Sequence, residues 1–179
     1  MTLDHLWAGW RSAYVASVSD AFGPPEGAAP TRAQATTADE CLFCRLLAAQ
    51  AGDEHYVVFR GPSAAVILNA YPYASGHLLV LPIRHLRQLS ELTEAESAEL
   101  WRTVRAATVA LQRAYDPDGL NLGANLGRAA GAGLPDHLHL HAVPRWVGDT
   151  NFMTTVASVR VLPEALSDSF DRIVAAWPR

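Results

Sequence analysis

His137-Leu-His139-Leu-His141-Ala-Val143 alternates histidine with apolar residues, and this stretch decides how the chain is interpreted. Successive side chains of a β-strand point to opposite faces of a sheet. As a strand, the stretch presents three imidazoles on one face and its Leu and Ala side chains on the other. With seven histidines in 179 residues, chance alone gives roughly a 1% probability of such a triplet. The pattern therefore predicts a strand with one reactive face.

The composition is typical of one globular domain. Half of the residues are hydrophobic and 18% are charged, which is enough apolar chain to bury a core. A formal net charge of −4 argues against a polyanionic partner such as nucleic acid. No apolar run reaches the roughly 18 residues of a membrane span, and charged residues near the N-terminus do not fit a signal peptide. We therefore expect a cytoplasmic protein with neither a nucleic-acid nor a membrane partner.

Residue usage divides the chain into three parts. Residues 1–20 carry apolar side chains at helical spacing, which predicts an N-terminal helical segment. Residues 21–38 are rich in Gly, Pro, Ala and Thr, which predicts a flexible linker or loop. Residues 39–179 are expected to form the main domain with a C-terminal extension.

The main domain alternates strand-like and helix-like patterns. Thr93 and Glu96 form a capping box at the start of the clearest helix, which ends near Tyr115. Strands in meander order around one long helix predict a mainly antiparallel α+β domain with shorter flanking helices. The expected strands are 55–60, 64–69, 77–81, 120–125 and the histidine stretch, and the expected shorter helices begin near residues 39 and 163.

A glycine-rich loop leads directly into the histidine stretch. It runs from Asn125 to Asp136 and contains Gly127, Gly131 and Gly133. Such loops turn backbone N–H groups toward anions, most often phosphate. A neutral imidazole is nucleophilic at physiological pH and can attack phosphorus when its other nitrogen is protonated and held. Loop and histidines together therefore predict chemistry on a phosphate group.

Two longer blocks resemble a known family. NAYPYASGHLLVLPIRH at 69–85 and GRAAGAGLPDHLHLHAVPRWVGDTNFM at 127–153 are similar to the histidine triad (HIT) superfamily of nucleotide hydrolases and transferases. The second block, together with LWAGWR at 6–11, resembles the bacterial branch described as diadenosine tetraphosphate hydrolase or phosphorylase. The resemblance covers residues 3–166, apart from an insertion-like stretch at 21–38.

The resemblance implies roles for individual residues. His139 would be the nucleophile of a nucleotidyl-histidine intermediate and His141 would contact phosphate, with His137 and His77 completing the catalytic group. Asn69 would bind ribose. The further candidate nucleotide contacts are Asn125, Arg128, Gly131, Gly133 and Trp146. The expected assembly is a homodimer whose sheets join across the subunits, acting on a small-molecule nucleotide.

The two cysteines add a candidate metal site. Cys41 and Cys44 have the spacing of half a zinc site, although a redox couple or two buried thiols also fit. Structural zinc takes four Cys or His ligands. The resemblance supplies the other two, because zinc-containing members place a histidine where His85 stands and His137 would be the fourth ligand. The expected cofactor is therefore structural zinc.

Several functional alternatives stay open. The acceptor of a transferred nucleotide could be water, which gives a hydrolase, or inorganic phosphate, which gives a phosphorylase. The chain could instead be a non-catalytic purine nucleotide-binding protein, or a zinc hydrolase with His137, His139 and His141 as metal ligands. Several relatives have a Ser, Thr or Gln side chain just before the triad. Here Ala132-Gly133-Leu134 offers only backbone N–H groups.

Overall fold

A computed structural model describes residues 37–48, 56–149 and 164–178 of the chain. The expected N-terminal helical segment and nearly all of the expected linker lie outside these residues, so the division at residues 1–20 and 21–38 stays a prediction. The elements of the described part are α1 (Leu42–Ala48), β1 (Val57–Arg60), β2 (Ala64–Leu68), β3 (Leu78–Pro82), α2 (Glu94–Tyr115), β4 (Gly119–Gly123), β5 (Leu140–Arg145) and α3 (Leu166–Ala176).

The five strands form one antiparallel sheet in the order β1-β2-β3-β5-β4. The turn Gly61-Pro62-Ser63 joins β1 to β2, and the Gly61 N–H donates to the Ala64 carbonyl at 2.8 Å. β3 lies between β2 and β5, with Leu79 opposite His141. The predicted α+β class with an antiparallel sheet is confirmed.

The long helix α2 covers one face of the sheet. Its capping box is formed as predicted, since the Thr93 hydroxyl accepts from the Glu96 N–H and the Glu96 carboxylate accepts from the Thr93 N–H. The predicted apolar stripe is buried, and it packs with α3 and the sheet in the main hydrophobic core. In the described ranges, no helix combines the length and apolar character needed to cross a membrane.

The short helix α1 covers the opposite face. Phe43 and Leu47 pack there with Cys41 and with Ile67 and Leu79 of the sheet, forming a second, smaller apolar cluster. The Arg60 guanidinium donates to the Leu47 carbonyl and ties the end of α1 to β1. The sheet therefore has two covered faces, and the histidine stretch runs between them.

The histidine strand begins later than predicted. β5 starts at Leu140 rather than at residue 137. Residues 137–139 lie beside the segment that follows β3, where the Leu138 N–H donates to the Leu86 carbonyl at 2.7 Å. The predicted alternation still holds, because Leu138 and Leu140 belong to the main core while the His137 and His139 rings contact Phe43 of α1. The other strands differ from their predicted bounds by one or two residues, where ladder pairing gives way to turns.

Candidate active site

Four histidines meet on the α1 face of the sheet. His77 directly precedes β3 and His141 lies in β5, and the pairing of these strands brings the His77 Nε2 to 2.9 Å from the His141 Nδ1. The His139 and His141 ring centroids are 5.1 Å apart. His137, three residues before β5, lies beyond His139 and is 1% exposed. The catalytic candidates from the sequence are thus brought together.

The hydrogen bonds around His77 fix its tautomer. The Asn69 Oδ1 accepts from the Tyr71 N–H at 3.0 Å, which turns the Asn69 amide nitrogen toward the His77 Nδ1 at 3.2 Å. The Tyr73 N–H donates to the same Nδ1 at 3.0 Å. Because both neighbours are donors, the His77 Nδ1 is an acceptor and its Nε2 carries the proton. Asn69, which is expected to bind ribose, therefore orients His77, a candidate catalytic residue.

This tautomer determines the next one. The protonated His77 Nε2 donates to the His141 Nδ1, so in the neutral His141 ring the hydrogen lies on Nε2. That Nε2 is buried and has no hydrogen-bond partner among the residues that the structure describes. Buried polar groups are nearly always satisfied, so the unused N–H points to an acceptor that binds at this position. A phosphate oxygen has the required chemistry.

His139 has the opposite tautomer. Its Nδ1 lies 2.8 Å from the carbonyl oxygen of His137, and a carbonyl can only accept, so Nδ1 carries the hydrogen. The Nε2 lone pair is then available. Burial lowers the pKa of His139, although the bond to the His137 carbonyl opposes this effect. The site thus combines a neutral ring with a lone pair and a neighbouring ring with an unused N–H.

A family model described as the HIT domain matches residues 51–147, just over half of the chain. The chain belongs to the HIT family. A relative from Mycobacterium tuberculosis (strain ATCC 25618 / H37Rv), named AP-4-A phosphorylase, is 38% identical over 177 residues, which cover 99% of this chain and 86% of the relative.

Solved HIT structures share the fold. A hypothetical histidine triad nucleotide-binding protein from Sulfolobus tokodaii strain7 has a TM-score of 0.62 at 31% identity, covering 76% of this chain and 91% of its own. A Zn-bound histidine triad family protein from Mycobacterium smegmatis has a TM-score of 0.63 at 27% identity, covering 78% and 94%.

In this HIT chain, the four candidate metal ligands converge. One donor atom from each of Cys41, Cys44, His85 and His137 lies within 4.8 Å of the others. The Cys41 Sγ and Cys44 Sγ are 3.3 and 3.5 Å from the His137 Nδ1, and the Cys44 Sγ is 3.4 Å from the His85 Nδ1. Tetrahedral zinc with ordinary Zn–S and Zn–N bonds puts S and N about 3.5 Å apart. The donor set therefore fits zinc.

Protonation in the cluster supports the same fit. The His137 Nε2 donates to the Pro82 carbonyl at 2.9 Å, so the lone pair of its neutral ring is on Nδ1, which faces the two sulfurs. Burial first, and then the neighbouring Cys41, raise the pKa of Cys44 to about 11. A bound divalent cation reverses this effect, because it stabilises thiolates directly.

The glycine loop is partly closed on itself. Gly127 and Gly131 have φ values of +87° and +88°, which glycine adopts without strain. They bound a short 3₁₀ turn at Arg128–Ala130. The N–H groups of residues 130, 131 and 132 donate to loop carbonyls, so these three amides do not form an open phosphate cradle. Asn125 donates to the Gly131 carbonyl at 3.4 Å, and Arg128 is exposed.

Trp146 lies just beyond β5 at the other end of the histidine strand. Its ring is half-buried and meets the Tyr115 ring edge-on, with centroids 6.1 Å apart. The adjacent Arg145 guanidinium contacts both carboxylate oxygens of Asp149 at 2.6 Å and the Asn121 side chain at 2.9 Å. Arg145 therefore stabilises the turn that carries Trp146.

Three aromatic residues that contact the candidate site were not predicted from the sequence. Phe43, between the two cysteines, lies edge-on to His137 at 5.6 Å and to His139 at 5.2 Å. Tyr73 lies nearly parallel to the His141 ring at 5.8 Å. Tyr115 contacts Trp146. An aromatic between two possible zinc ligands was the available signal for Phe43, but nothing in the local sequence marks the other two.

The neutral state of His141 can be tested by titration. Burial first, and then His139, lower its pKa from 6.5 to about 4. In the unfolded chain, the His141 ring binds a proton near pH 6.5, whereas in the folded chain it stays neutral until about pH 4. The free energy of unfolding is therefore highest above pH 6.5 and falls as the pH is lowered toward 4. The decrease in the free energy of unfolding should be smaller than the roughly 3 kcal/mol that corresponds to the full pKa shift, because solvent screens a partly exposed ring.

NMR of ¹⁵N-histidine protein from pH 7.5 to 3.5 measures the pKa directly, and urea unfolding at both ends measures the stability. His141→Asn is the matched control and should flatten the pH dependence of unfolding in this range. Titration of the His141 ring near pH 6.5 would contradict the assignment.

Proposed function

We propose that the chain is a nucleotide-processing enzyme that cleaves dinucleoside polyphosphates, such as diadenosine tetraphosphate, through a nucleotidyl-histidine intermediate on His139. The observation that carries the proposal is the pair of opposite tautomers. His139 offers an Nε2 lone pair beside the His141 N–H, which has no partner in the described part of the chain. A nucleophile next to a donor suits attack on a phosphoryl group, where negative charge develops on oxygen.

In the first step, the His139 Nε2 attacks the α-phosphorus and forms an N–P bond. The bond from this phosphorus to the bridging oxygen breaks, and the second nucleoside leaves with the rest of the phosphates. The His141 Nε2–H donates to a phosphate oxygen throughout. His77 holds His141 in the required tautomer, and the His137 carbonyl holds His139.

In the second step, an acceptor oxygen attacks the same phosphorus and the N–P bond breaks, which regenerates His139. We propose inorganic phosphate as the acceptor, because the relative from Mycobacterium tuberculosis, which matches 99% of this chain, is named AP-4-A phosphorylase. From diadenosine tetraphosphate, phosphate gives ADP and ATP, whereas water gives AMP and ATP. The second candidate function is therefore the hydrolase.

Nucleotide contacts beyond the histidines follow from position. Asn69 directly follows β2, and Asn125 lies two residues after β4. The loop before the triad contributes Arg128, Gly131 and Gly133. Trp146 directly follows β5. The loop amides from Gly133 onward are the candidates for phosphate, since those of residues 130–132 bind loop carbonyls. Trp146 offers a half-buried aromatic face for a base or sugar.

We propose that Cys41, Cys44, His85 and His137 hold one structural zinc ion. When bound, zinc fixes the His137 ring through its Nδ1. The same residue offers the carbonyl that orients His139, so the ion and the nucleophile are linked through one residue. The three-histidine zinc hydrolase is less consistent with the geometry, because the His141 Nδ1 accepts from His77, which leaves the hydrogen on its Nε2, and the His137 Nδ1 faces the two cysteines.

We also propose a homodimer in which β4 pairs with the partner's β4. β4 is the last strand of the sheet order and is mostly exposed. Unpaired sheet edges attract further strands. Leu122 on this edge and Trp101 on α2 are 50% and 54% exposed and line one apolar pocket of about 160 Å³ together with Leu89 and Val104. A second copy provides a self-complementary cover for this face.

The nucleophile can be tested with His139→Asn. Turnover of diadenosine tetraphosphate should fall by at least about 1,000-fold, because the group that forms the covalent bond is lost. Nucleotide affinity, measured by calorimetry, should change little. Brief exposure of the wild type to substrate should add the mass of AMP to a peptide containing His139.

The reaction products distinguish the phosphorylase from the hydrolase. ADP that appears only with added phosphate supports the phosphorylase, and AMP without phosphate supports the hydrolase. Wild-type turnover by His139→Asn would remove the nucleophile assignment, and tight nucleotide binding without wild-type turnover would indicate a binding protein.

The zinc site can be tested by metal analysis. We expect one zinc per chain, lost in Cys44→Ser because a neutral hydroxyl replaces a thiolate ligand. Loss of the ion should lower thermal stability. His141→Asn is the control and should retain zinc, which it would not do if the triad itself held the metal. Zinc-free native protein in which both thiols react with a thiol reagent would contradict the site.

The dimer can be tested by sedimentation velocity. Leu122→Glu should shift the protein toward monomer, because it places a charge on an apolar edge that a second copy covers. Val147→Glu changes a 92% exposed side chain outside that edge and should sediment like the wild type. A wild-type monomer, or a dimer unaffected by Leu122→Glu, would contradict the proposed interface.

A further inference from the structure

A partly buried polar cluster attaches the C-terminal helix α3 to the end of α2. The hydroxyl of Tyr115, the last residue of α2, donates to the Glu164 carboxylate. Glu164 also accepts from the Ser169 hydroxyl at 2.7 Å and pairs with Arg172 at 3.3 Å. The Arg172 guanidinium lies over the Tyr115 ring, 5.3 Å from its centroid. The tyrosine ring is therefore held at its hydroxyl and on one face.

The ring of Tyr115 also contacts the turn that leads into His77. Gly76 has a φ of +77°, and a Cβ at this position would come within 2.6 Å of the Tyr115 Cε2. The backbone of Gly76 thus lies directly against a ring that cannot easily move away. The next residue is His77, whose tautomer depends on the Tyr73 N–H in the same turn.

The same ring supports a second candidate site residue. Trp146 meets Tyr115 edge-on at 6.1 Å. One tyrosine thus contacts both the turn before His77 and the aromatic residue after β5. The groups that hold this tyrosine in place, at residues 164, 169 and 172, lie beyond residue 147, where the match to the HIT domain ends.

We propose that Tyr115 is a positioning residue that transmits the placement of the C-terminal helix to His77 and Trp146. It acts by fixing the Gly76 turn, and through it the His77–His141 hydrogen bond, and by supporting the Trp146 ring. The consequences for turnover rest on the proposed function, whereas the consequence for the histidine tautomers does not.

The test compares Tyr115→Leu with Tyr115→Phe in the full chain. Tyr115→Leu removes the flat ring and should lower kcat by about 10- to 100-fold, because small misplacements of catalytic groups have effects of this size. It should also raise KM through Trp146. Tyr115→Phe keeps the ring against Gly76 and should restore kcat to within about fivefold of the wild type. Long-range ¹⁵N NMR without substrate should show mixed tautomers of His77 and His141 only in Tyr115→Leu.

Two further variants separate positioning from stability. Phe59→Leu disturbs another contact of the C-terminal segment, the stacking on Trp177 at 5.1 Å. It should lower thermal stability but leave kcat and the tautomers unchanged. Gly76→Ala pushes the turn off the ring and should reproduce the Tyr115→Leu tautomer change. The kcat of the double variant Gly76→Ala/Tyr115→Leu should be only slightly lower than that of Tyr115→Leu alone, because both changes break the same contact.

Folded Tyr115→Leu protein with wild-type tautomers and kcat would overturn the proposal, as would equal loss of kcat in Phe59→Leu at matched stability. If Tyr115→Leu does not fold, Gly76→Ala decides by the same tautomer readout. If the wild type does not turn over dinucleoside polyphosphates, the proposed function fails while the tautomer comparison still tests the positioning role.

Discussion

The pairing of β3 with β5 is the constraint on which the site depends. It sets Leu79 opposite His141 and brings His77 within hydrogen-bond distance of His141. A shift of one residue would turn the imidazoles into the core below α2 and the leucines toward α1. The apolar residues between the histidines prevent that shift, because their burial in the main core stabilises only one register. The same residues thus stabilise the fold and orient the chemistry.

Burial then restricts what each imidazole can do. A charged ring is costly in an apolar environment, so the triad rings are held neutral. A neutral ring has one donor and one acceptor nitrogen, and the partner of one nitrogen fixes the other. Carbonyls accept from His137 and His139, and backbone and amide donors surround the His77 Nδ1. The division into a ring with an available lone pair and a ring with an N–H donor therefore follows from hydrogen bonding rather than from residue type.

The alternation of histidines and the capping box were predictable because strand and helix periods are local properties of a sequence. Cysteine spacing and family resemblance together predict the candidate ligands Cys41, Cys44, His85 and His137, and the structure brings their donor atoms together. The tautomers could not be predicted, because they depend on carbonyls and amides that only the folded chain places beside the rings. The hydrogen bonds within the glycine loop and the contact between Gly76 and Tyr115 could not be predicted for the same reason. Both involve the backbone, and the local sequence does not indicate what the backbone will contact.

The rings of His139 and His141 are supported from opposite faces of the sheet. His139 is oriented by the His137 carbonyl, and the ring of His137 belongs to the cysteine–histidine cluster beside α1. His141 is oriented by His77, which follows the turn that lies on Tyr115 between α2 and α3. The two chains of contacts share no residue before they meet where the His139 and His141 rings lie side by side. Each ring therefore has its own support: the cysteine–histidine cluster lies behind His139, and the Tyr115 ring lies behind His141.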